Sequence, residues 1–384
     1  MEPIAFAGID GRIHLLDAPD QPPRCLAADR AHDTYIYTWP TWAPAADWLA
    51  VMALPRERGT TAVELVSLRS AAVRRVWSTD DGGPVFLYWA PDGRRLGLLV
   101  QEADTLHLLV ADCTTDRPAE RLASGAPLYW SWAADGAALA LHVGGHYGRA
   151  GNAQLLLARL EAERPVWETL TVRPLGFRAP AWEPGTHRLA YAAAVGTDRR
   201  RLLLTDTASG HTEEVLAVGD EPAFVWAPQG RRLVLADERT PEGLYEHVAL
   251  LDTQSGDVQP LPGGAAAVFW TPAGDALLRA VPGPAGDLLL WERLDLTDGT
   301  AWLLAGFSPT QELALLLGHF DQYAQAVRFY SQQEPALLFA HAVPSGRHNG
   351  RAADRAELWL AVGHSPVALR CLASGRIGFF APGG

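Results

Sequence analysis

The sequence predicts an all-β protein of the β-propeller class, and three observations lead to this prediction. A short motif beginning with an aromatic residue recurs along the chain, and an apolar strand starts seven residues after each aromatic. The two chain ends carry complementary parts of one further copy. Repeats of roughly 40–50 residues with four short strands each are typical of propeller blades. We therefore predict one propeller domain over residues 1–384.

The two clearest copies of the motif are nearly identical. Residues 89–96 read WAPDGRRL, and residues 226–233 read WAPQGRRL. In each copy Pro and Gly predict a tight turn that reverses the chain into the next strand, while the Trp is expected to pack between neighbouring blades. Further copies start at Trp42, Trp132, Trp182, Trp270 and, more weakly, Tyr330. The aromatics are 43 to 60 residues apart, which suits one four-stranded blade per copy.

The chain ends predict how the ring of blades closes. Phe380-Ala381-Pro382 is a fresh start of the motif with no strand after it, and Ile4–Ala7 is a strand without an aromatic start. The simplest account is one blade whose inner strand comes from the C-terminus and whose outer strands come from the N-terminus, which removes the edges of the ring. This gives eight blades of four strands, or seven if Tyr330 does not start a repeat.

The longest interval between aromatics predicts an inserted helix. Before Tyr330, Ser308 could cap a helix that has Pro309 at its first position and Glu312 in its first turn. Apolar residues follow at spacings of three to four, as expected for one buried helix face, at Leu313, Leu316, Leu317, Phe320 and Tyr323. The prediction is one amphipathic helix over about residues 309–324.

The repeat resembles that of TolB-like β-propellers, which are relatives of the WD-repeat propellers. Their signature is an aromatic-Ser-Pro-Asp-Gly turn followed by an apolar strand, and the resemblance covers nearly the whole chain. The matching positions are scaffold positions, so the resemblance implies the fold and leaves the function open. Proteins of this class include periplasmic envelope proteins, propeller domains attached to serine peptidases, and propeller lyases.

Three interruptions of the repeat define a candidate binding face. Residues 144–152 and 344–355 are rich in Gly, Arg and His and separate second from third strands, and the predicted helix precedes a new blade. These connections emerge on the same face of a propeller. One interpretation is solvated loops of tolerated length. The other is a surface that binds a protein partner, or a small ligand, through Tyr147, Arg149, His319, Tyr323, Arg347, His348 and Arg351.

Histidines supply the alternative, an enzyme. His142 and His341 occupy equivalent positions at the ends of second strands, and His146, His348 and His364 lie in nearby segments. Propeller lyases place several histidines around a metal in the central channel, so the resemblance implies a metal-dependent lyase or hydrolase as the alternative function. Its candidate ligands are His142, His146 and His341. The favoured prediction remains a non-catalytic binding or scaffolding propeller with no cofactor.

Composition limits the other classes of partner. The chain has 32 basic and 44 acidic residues, for a net charge of −12, so neither nucleic acid nor an anionic membrane surface is an expected partner. The arginine pairs 94–95 and 231–232 are expected on a solvated face. The three cysteines form no disulfide framework, no apolar run approaches the ~18 residues of a membrane span, and the start shows no export signal, so a cytoplasmic location is expected.

Overall fold

Seven antiparallel sheets make up the protein, and together they form an all-β propeller. The computed structural model describes residues 1–26, 34–145, 153–160, 164–176, 178–286, 288–343, 355–363 and 366–383. The chain begins with β1 (Ile4–Gly8), β2 (Ile13–Leu16) and β3 (Arg24–Cys25). Six sheets of four consecutive strands follow, each with its first strand nearest the axis.

The strands of the first three of these sheets are β4 (Tyr35–Trp42), β5 (Trp48–Pro55), β6 (Thr61–Ser67), β7 (Val73–Thr79), β8 (Gly83–Trp89), β9 (Arg95–Glu102), β10 (Thr105–Asp112), β11 (Glu120–Gly125), β12 (Leu128–Trp132), β13 (Ala138–Val143), β14 (Gln154–Arg159) and β15 (Val166–Thr171). Those of the next three are β16 (Ala181–Trp182), β17 (Arg188–Val195), β18 (Arg199–Asp206), β19 (Thr212–Ala217), β20 (Ala223–Trp226), β21 (Arg232–Arg239), β22 (Tyr245–Asp252), β23 (Val258–Pro260), β24 (Ala267–Trp270), β25 (Ala276–Pro282), β26 (Leu289–Asp295) and β27 (Ala301–Phe307).

The seventh sheet has six strands and joins the two chain ends. Its order is β28 (Ala336–Val343), β29 (Arg355–Val362), β30 (Ala368–Phe380), β1, β2 and β3. The first half of β30 pairs with β29, and its second half pairs with β1, with Ile4 opposite Phe380. The predicted closure of the ring by the two termini is confirmed.

The number of sheets is seven, which is the alternative count. Eight repeat units form seven sheets because the long strand β30 belongs to two repeat units. The six-stranded sheet therefore contains both the unit of Tyr330 and the unit shared by the termini. Tyr330 itself lies outside the named strands and forms an isolated bridge with Leu337. The weakest repeat start in the sequence is therefore also the least regular inner strand in the structure.

The motif tryptophans fasten each unit to the preceding one. In five units the indole Nε1 donates to the carbonyl of the residue just before the neighbouring unit's aromatic. The bonds are Trp42 to Phe379 at 3.0 Å, Trp89 to Thr41 at 3.1 Å, Trp132 to Tyr88 at 3.1 Å, Trp226 to Ala181 at 3.0 Å and Trp270 to Val225 at 3.0 Å. Trp182 is the exception, because its buried Nε1 has no partner within the described residues. The expected packing of these aromatics between blades is thus accompanied by a repeated hydrogen bond.

The two arginines of each pair after a turn form different contacts. The first member bonds within its own sheet, since Arg94 Nη2 contacts Asp112 Oδ2 at 2.9 Å and remains more than half exposed. The second member crosses to the next sheet, where Arg95 Nη1 donates to the Gly136 carbonyl at 2.7 Å. Arg231 and Arg232 repeat this division with Asp252 and the Gly274 carbonyl. The expectation of a solvated face therefore holds for the first arginine of each pair and not for the second.

Replacing Arg95 by leucine is expected to lower the free energy of unfolding by about 1.5–3 kcal/mol. The reason is that the Gly136 carbonyl loses the charged hydrogen bond that Arg95 donates to it across two sheets. The matched control is Arg94→Leu, which removes an exposed ion pair and should cost less. Urea unfolding of both variants measures the difference. Equal losses would show that the bond between sheets has no special weight.

The insertion before Tyr330 forms two short helices, α1 (Gln311–Gly318) and α2 (Phe320–Tyr323), instead of the single predicted helix. The predicted start is also wrong. Thr310 is the N-cap, because its Oγ1 accepts from Leu313 N at 3.2 Å, whereas Pro309 precedes the helix and bridges to His341. The Thr310 hydroxyl also donates to the Arg376 carbonyl, which ties α1 to β30.

The short helix α2 fills the central channel, and we call its residues, Phe320–Tyr323, the plug. Tyr323 packs against Trp39 and Phe86 at ring distances of 5.2 and 4.7 Å, and Phe320 packs against Tyr245 and Phe269 at 5.8 and 5.9 Å. The polar plug residues bond to the wall: Gln322 to both backbone groups of Trp130, and Asp321 to the Ala179 amide. The four plug residues thus connect the inner strands of different sheets across the axis.

A buried carboxylate helps to close the ring at the N-terminus. Glu2 accepts from the Ser331 hydroxyl at 2.6 Å and from the Gln332 amide at 2.7 Å, while the Met1 ammonium lies 3.3 Å from Glu334. Burial alone would raise the pKa of Glu2, but these hydrogen bonds outweigh it and hold the pKa below its usual value. The ionised form of Glu2 therefore stabilises the folded state.

The contribution of Glu2 is expected to depend on pH. Because the folded pKa is depressed, its stabilisation is complete above the unfolded pKa of about 4.3 and is lost as the pH falls through the folded value. Glu2→Gln should lower the free energy of unfolding by about 1–3 kcal/mol at pH 7. The difference in the free energy of unfolding between wild type and variant should become smaller in acid. Urea unfolding at pH 7 and at a pH below the folded pKa of Glu2 measures this difference. A gap that is constant with pH would contradict this role.

Candidate functional site

A two-lobed funnel opens at the axis, on the face that carries the turns between first and second strands. The plug closes the channel from the other side. The larger lobe has a volume of about 400 Å³, and its wall consists mainly of aromatic and proline side chains from the repeated motif. These are Trp132, Trp182, Trp226, Trp270, Pro91, Pro184, Pro228 and Pro272. The smaller lobe, about 340 Å³, is lined by the same kind of residue, including Trp42, Trp89, Pro44, Pro91 and Phe380.

The segment that follows the plug separates the two lobes, and we call Gln325–Arg328 the ridge. Gln325, Val327 and Arg328 each line both cavities. Val327 is buried, whereas Gln325 and Arg328 are exposed. The backbone of the ridge is fixed to the closure strand, because the Phe380 amide donates to the Arg328 carbonyl at 2.7 Å. The ridge therefore presents two polar side chains between two apolar hollows.

Arg328 is the one basic side chain among the described residues that line the lobes. Within the described ranges its guanidinium takes part in no hydrogen bond and in no ion pair within 4 Å. Loss of solvent around the guanidinium lowers the pKa of Arg328, yet an arginine stays protonated in proteins. The nearby carboxylate of Glu2 is already engaged by Ser331 and Gln332. Arg328 thus supplies a positive charge to an apolar funnel, with Glu2 as a nearby charge and no direct partner among the described residues.

The other polar groups of the funnel are partly engaged. Gln325 accepts from the Tyr88 hydroxyl at 3.1 Å through its Oε1, which leaves the amide NH₂ as a donor. Glu183, the acidic residue in the larger lobe, is buried and accepts from Arg188 at 3.1 Å and from the Arg231 amide at 2.7 Å. The ridge consequently offers donors, and the carboxylate on the wall is already neutralised.

A second polar cluster lies at the other end of the channel and holds the plug in place. Arg178 is buried, with its Nη1 3.6 Å from Asp321 of the plug, its Nη2 3.7 Å from Glu221, and its Cζ 5.6 Å from the ring centre of Tyr245. Burial alone would lower the pKa of Arg178, but the facing negative charge of Asp321 raises it. The pairing accounts for the charges, so this cluster is structural.

The predicted contact set is only partly described. Tyr147, Arg149, Arg347, His348 and Arg351 lie outside the described residues, so their role stays a prediction. His319 lies at the junction of α1 and α2 and stacks on Tyr129 at 6.3 Å. Tyr323 is 4% exposed inside the plug, where its ring packs in the channel, and its predicted role in binding stays a prediction. The funnel lies on the face opposite the predicted one.

The described histidines have separate structural partners. His142 is buried at the end of β13, where Nδ1 lies 3.2 Å from the Arg178 carbonyl and burial lowers its pKa to about 4. His341, in β28 of another sheet, accepts from the Ser308 amide at 3.0 Å. His146 and His364 lie outside the described residues. Within the part of the chain that the structure describes, no three His, Cys, Asp or Glu side chains are grouped to hold a metal ion.

The sequence contained a signal for the funnel wall and none for its charge. Pro44, Pro91, Pro184, Pro228 and Pro272 stand two residues after their tryptophans, and equivalent repeat positions meet around the axis of a propeller. The shared position of these prolines therefore places an apolar ring on one face. Arg328 and Gln325 lie in the insertion, outside any repeat, so periodicity could not place them.

Comparison with known proteins supports the fold. No protein-family model matches the sequence, and no curated protein matches it. Among solved structures, the chain is similar to a eukaryotic initiation factor with a TM-score of 0.58 and 14% identity over 99% of this chain and 98% of that one. An oligogalacturonate lyase in complex with manganese matches with a TM-score of 0.56 and 12% identity over 88% and 92%. TolB from Acinetobacter baumannii matches with a TM-score of 0.37 and 15% identity over 68% of this chain and 64% of TolB.

The chain is a β-propeller protein, as the resemblance of its repeats implies. Identities this low show the fold alone, and one of the neighbours is an enzyme, so the fold fits a binding protein and a catalyst alike. Within the described ranges, neither helix is long and apolar enough to cross a membrane. The function has to be argued from the funnel.

Proposed function

We propose that this protein is a non-catalytic binding propeller that recognises a segment of a partner protein in the funnel. The observation that carries the proposal is a pair of apolar lobes, about 400 and 340 Å³, on either side of an arginine whose side chain has no partner among the described residues. Concave sites lined by aromatic residues with a few convergent polar groups are the usual form of a ligand site. Aromatic and proline-lined grooves also recognise extended protein segments.

Several features indicate that the motif tryptophans bind a ligand in addition to stabilising the fold. Each motif tryptophan already packs between units, yet six of them also present surface to the lobes. Rigid aromatic side chains lose little conformational entropy on binding, so they serve well as interface anchors. The plug and the ridge give the funnel a fixed floor. The protein therefore offers a preorganised site, which lowers the entropic cost of association.

Selection from a phage-displayed library of random 12-residue peptides tests the proposal. Peptides enriched on the wild-type protein are expected to lose binding to Ala134→Arg, which fills the larger lobe, and to Pro44→Arg, which fills the smaller one. Both positions are exposed, so the variants should keep the wild-type melting temperature. The control is Ala208→Arg, in an exposed turn between β18 and β19 on the outer part of the same face.

Loss of affinity in the two lobe variants with full binding in Ala208→Arg supports the funnel as the recognition site. Peptides that bind all four proteins equally would place recognition elsewhere and contradict the proposal. Failure to enrich any peptide would also contradict it, because a rigid aromatic site should select short segments directly.

A further inference from the structure

We infer that the partner segment carries one acidic side chain flanked on both sides by apolar residues, and that this side chain binds at the ridge. The inference rests on the proposed function and specifies its ligand. It follows from the position of Arg328 and Gln325 between the two lobes.

The positive charge of Arg328 favours an anionic group in the ligand. Arg328 is an exposed residue, and no hydrogen-bonding or ion-pair partner contacts its partly desolvated guanidinium within the described residues, so binding an anion there gains a charge-assisted hydrogen bond without breaking one. Gln325, three residues earlier, adds amide donors at the same ridge. A group that only accepts hydrogen bonds, such as a carboxylate, matches this pair of donors. A cationic or neutral group would leave the guanidinium partly desolvated and unpaired.

The number of cations distinguishes a carboxylate from a phosphate. Protein sites for phosphorylated or polyacidic segments gather several arginines around the anion. Arg328 is the one basic side chain among the described residues of both lobes, and most of the other lining residues are aromatic, proline or aliphatic. A single guanidinium suits a singly charged carboxylate, which it can bind in a bidentate manner. The ligand chemistry is therefore that of an aspartate or glutamate.

The two lobes determine where the acid lies in the segment. Because Arg328 and Gln325 line both cavities, a ligand bound at the ridge has an apolar hollow on each side. A chain end that placed its terminal carboxylate on Arg328 would fill one lobe and leave the other empty. A segment that crosses the ridge fills both lobes and buries more apolar surface. We therefore assign an internal acidic residue with apolar neighbours on either side.

Peptides from the same selection test this assignment by fluorescence polarisation. Replacing the acidic residue by its amide, Asp by Asn or Glu by Gln, should weaken binding about 10-fold or more, and Arg328→Gln should weaken the parent peptide by a similar factor. The two changes together should cost little more than either alone. Arg328→Glu should prefer the peptide with Lys at the acidic position over its parent. Amidation of the peptide C-terminus should have no effect.

The outcomes separate the inference from the proposed function. Peptides that require both lobes but tolerate the amide substitution would overturn the inference and leave the binding function intact. Loss of binding on C-terminal amidation would show a terminal carboxylate and would likewise overturn it. Insensitivity to Ala134→Arg and Pro44→Arg would instead contradict the proposed function. The Arg328 variants are expected to keep the wild-type melting temperature, because the guanidinium contacts no structural partner in the described chain.

Discussion

Replacing Phe380 by alanine is expected to lower the free energy of unfolding by about 3–5 kcal/mol, among the largest losses that one core residue can cause. Phe380 is 1% exposed, pairs with Ile4 across β30 and β1, and its amide bonds to the ridge. Removing the ring leaves a cavity where the two chain ends meet. A propeller whose closure is weakened loses the continuity that stabilises every sheet.

The control for Phe380 lies on the same strand. Leu369 is 52% exposed, so Leu369→Ala should change the free energy of unfolding by less than about 0.5 kcal/mol. Urea denaturation of both variants and the wild type measures the contrast. Similar small losses for the two residues would mean that pairing of the termini contributes little to stability.

Replacing Arg178 by leucine is expected to cost about 3–5 kcal/mol, because it leaves the Asp321 carboxylate buried without its countercharge. The same change removes the cation–π contact with Tyr245 and should loosen the plug at the axis. The Arg178→Leu/Asp321→Leu double variant should recover part of the loss, since an apolar pair replaces a buried ion pair at little cost. Thermal unfolding of the three variants gives the comparison.

An exposed ion pair provides the control for Arg178. Arg199 contacts Glu214 at 3.1 Å with both side chains in solvent, so Arg199→Leu should cost less than about 1 kcal/mol. A loss in Arg178→Leu as small as that of Arg199→Leu would contradict the structural role of the plug contact. So would a double variant less stable than both single variants.

The propeller could be predicted because its constraint is repeated. An aromatic, a turn that contains Pro in every copy but that of Trp132, and an apolar strand recur from Trp42 to Trp270, and each copy strengthens the interpretation of the others. The closure by Phe380 and Ile4 could be predicted for the same reason, since each chain end shows the part that the other lacks. The number of sheets could not be predicted from the sequence, because β30 pairs with β29 and with β1, and no local pattern in residues 368–380 reveals this.

The plug and the ridge could not be predicted because they occur once. The spacing of Leu313, Leu316 and Leu317 indicates a helix with a buried face, but it does not show that the following residues enter the channel. Asp321 and Gln322 are polar, yet they are buried because backbone groups of the inner wall satisfy them. Arg328 carries no sequence signal at all, since its importance comes from its place between the lobes and from the lack of a side-chain partner in the part of the chain that the structure describes.

The funnel and the opposite face differ in which side chains remain available to bind a partner. On the opposite face Tyr323 is committed to the channel wall, and Arg178 and Asp321 pair with each other. At the funnel, polar donors on the ridge remain available between apolar lobes. The physical contrast is between Arg178 and Asp321, whose charges pair with each other, and Arg328, which has no ion-pair partner within 4 Å among the described residues.

Hydrogen–deuterium exchange of the protein with and without a selected peptide is the most direct measurement. Slower exchange is expected at the ridge, residues 325–328, and in the turns that follow Trp89, Trp132 and Trp226, with α1 unchanged. Slower exchange confined to α1 and His319, with the ridge unaffected, would show that the partner binds the opposite face and would contradict the account.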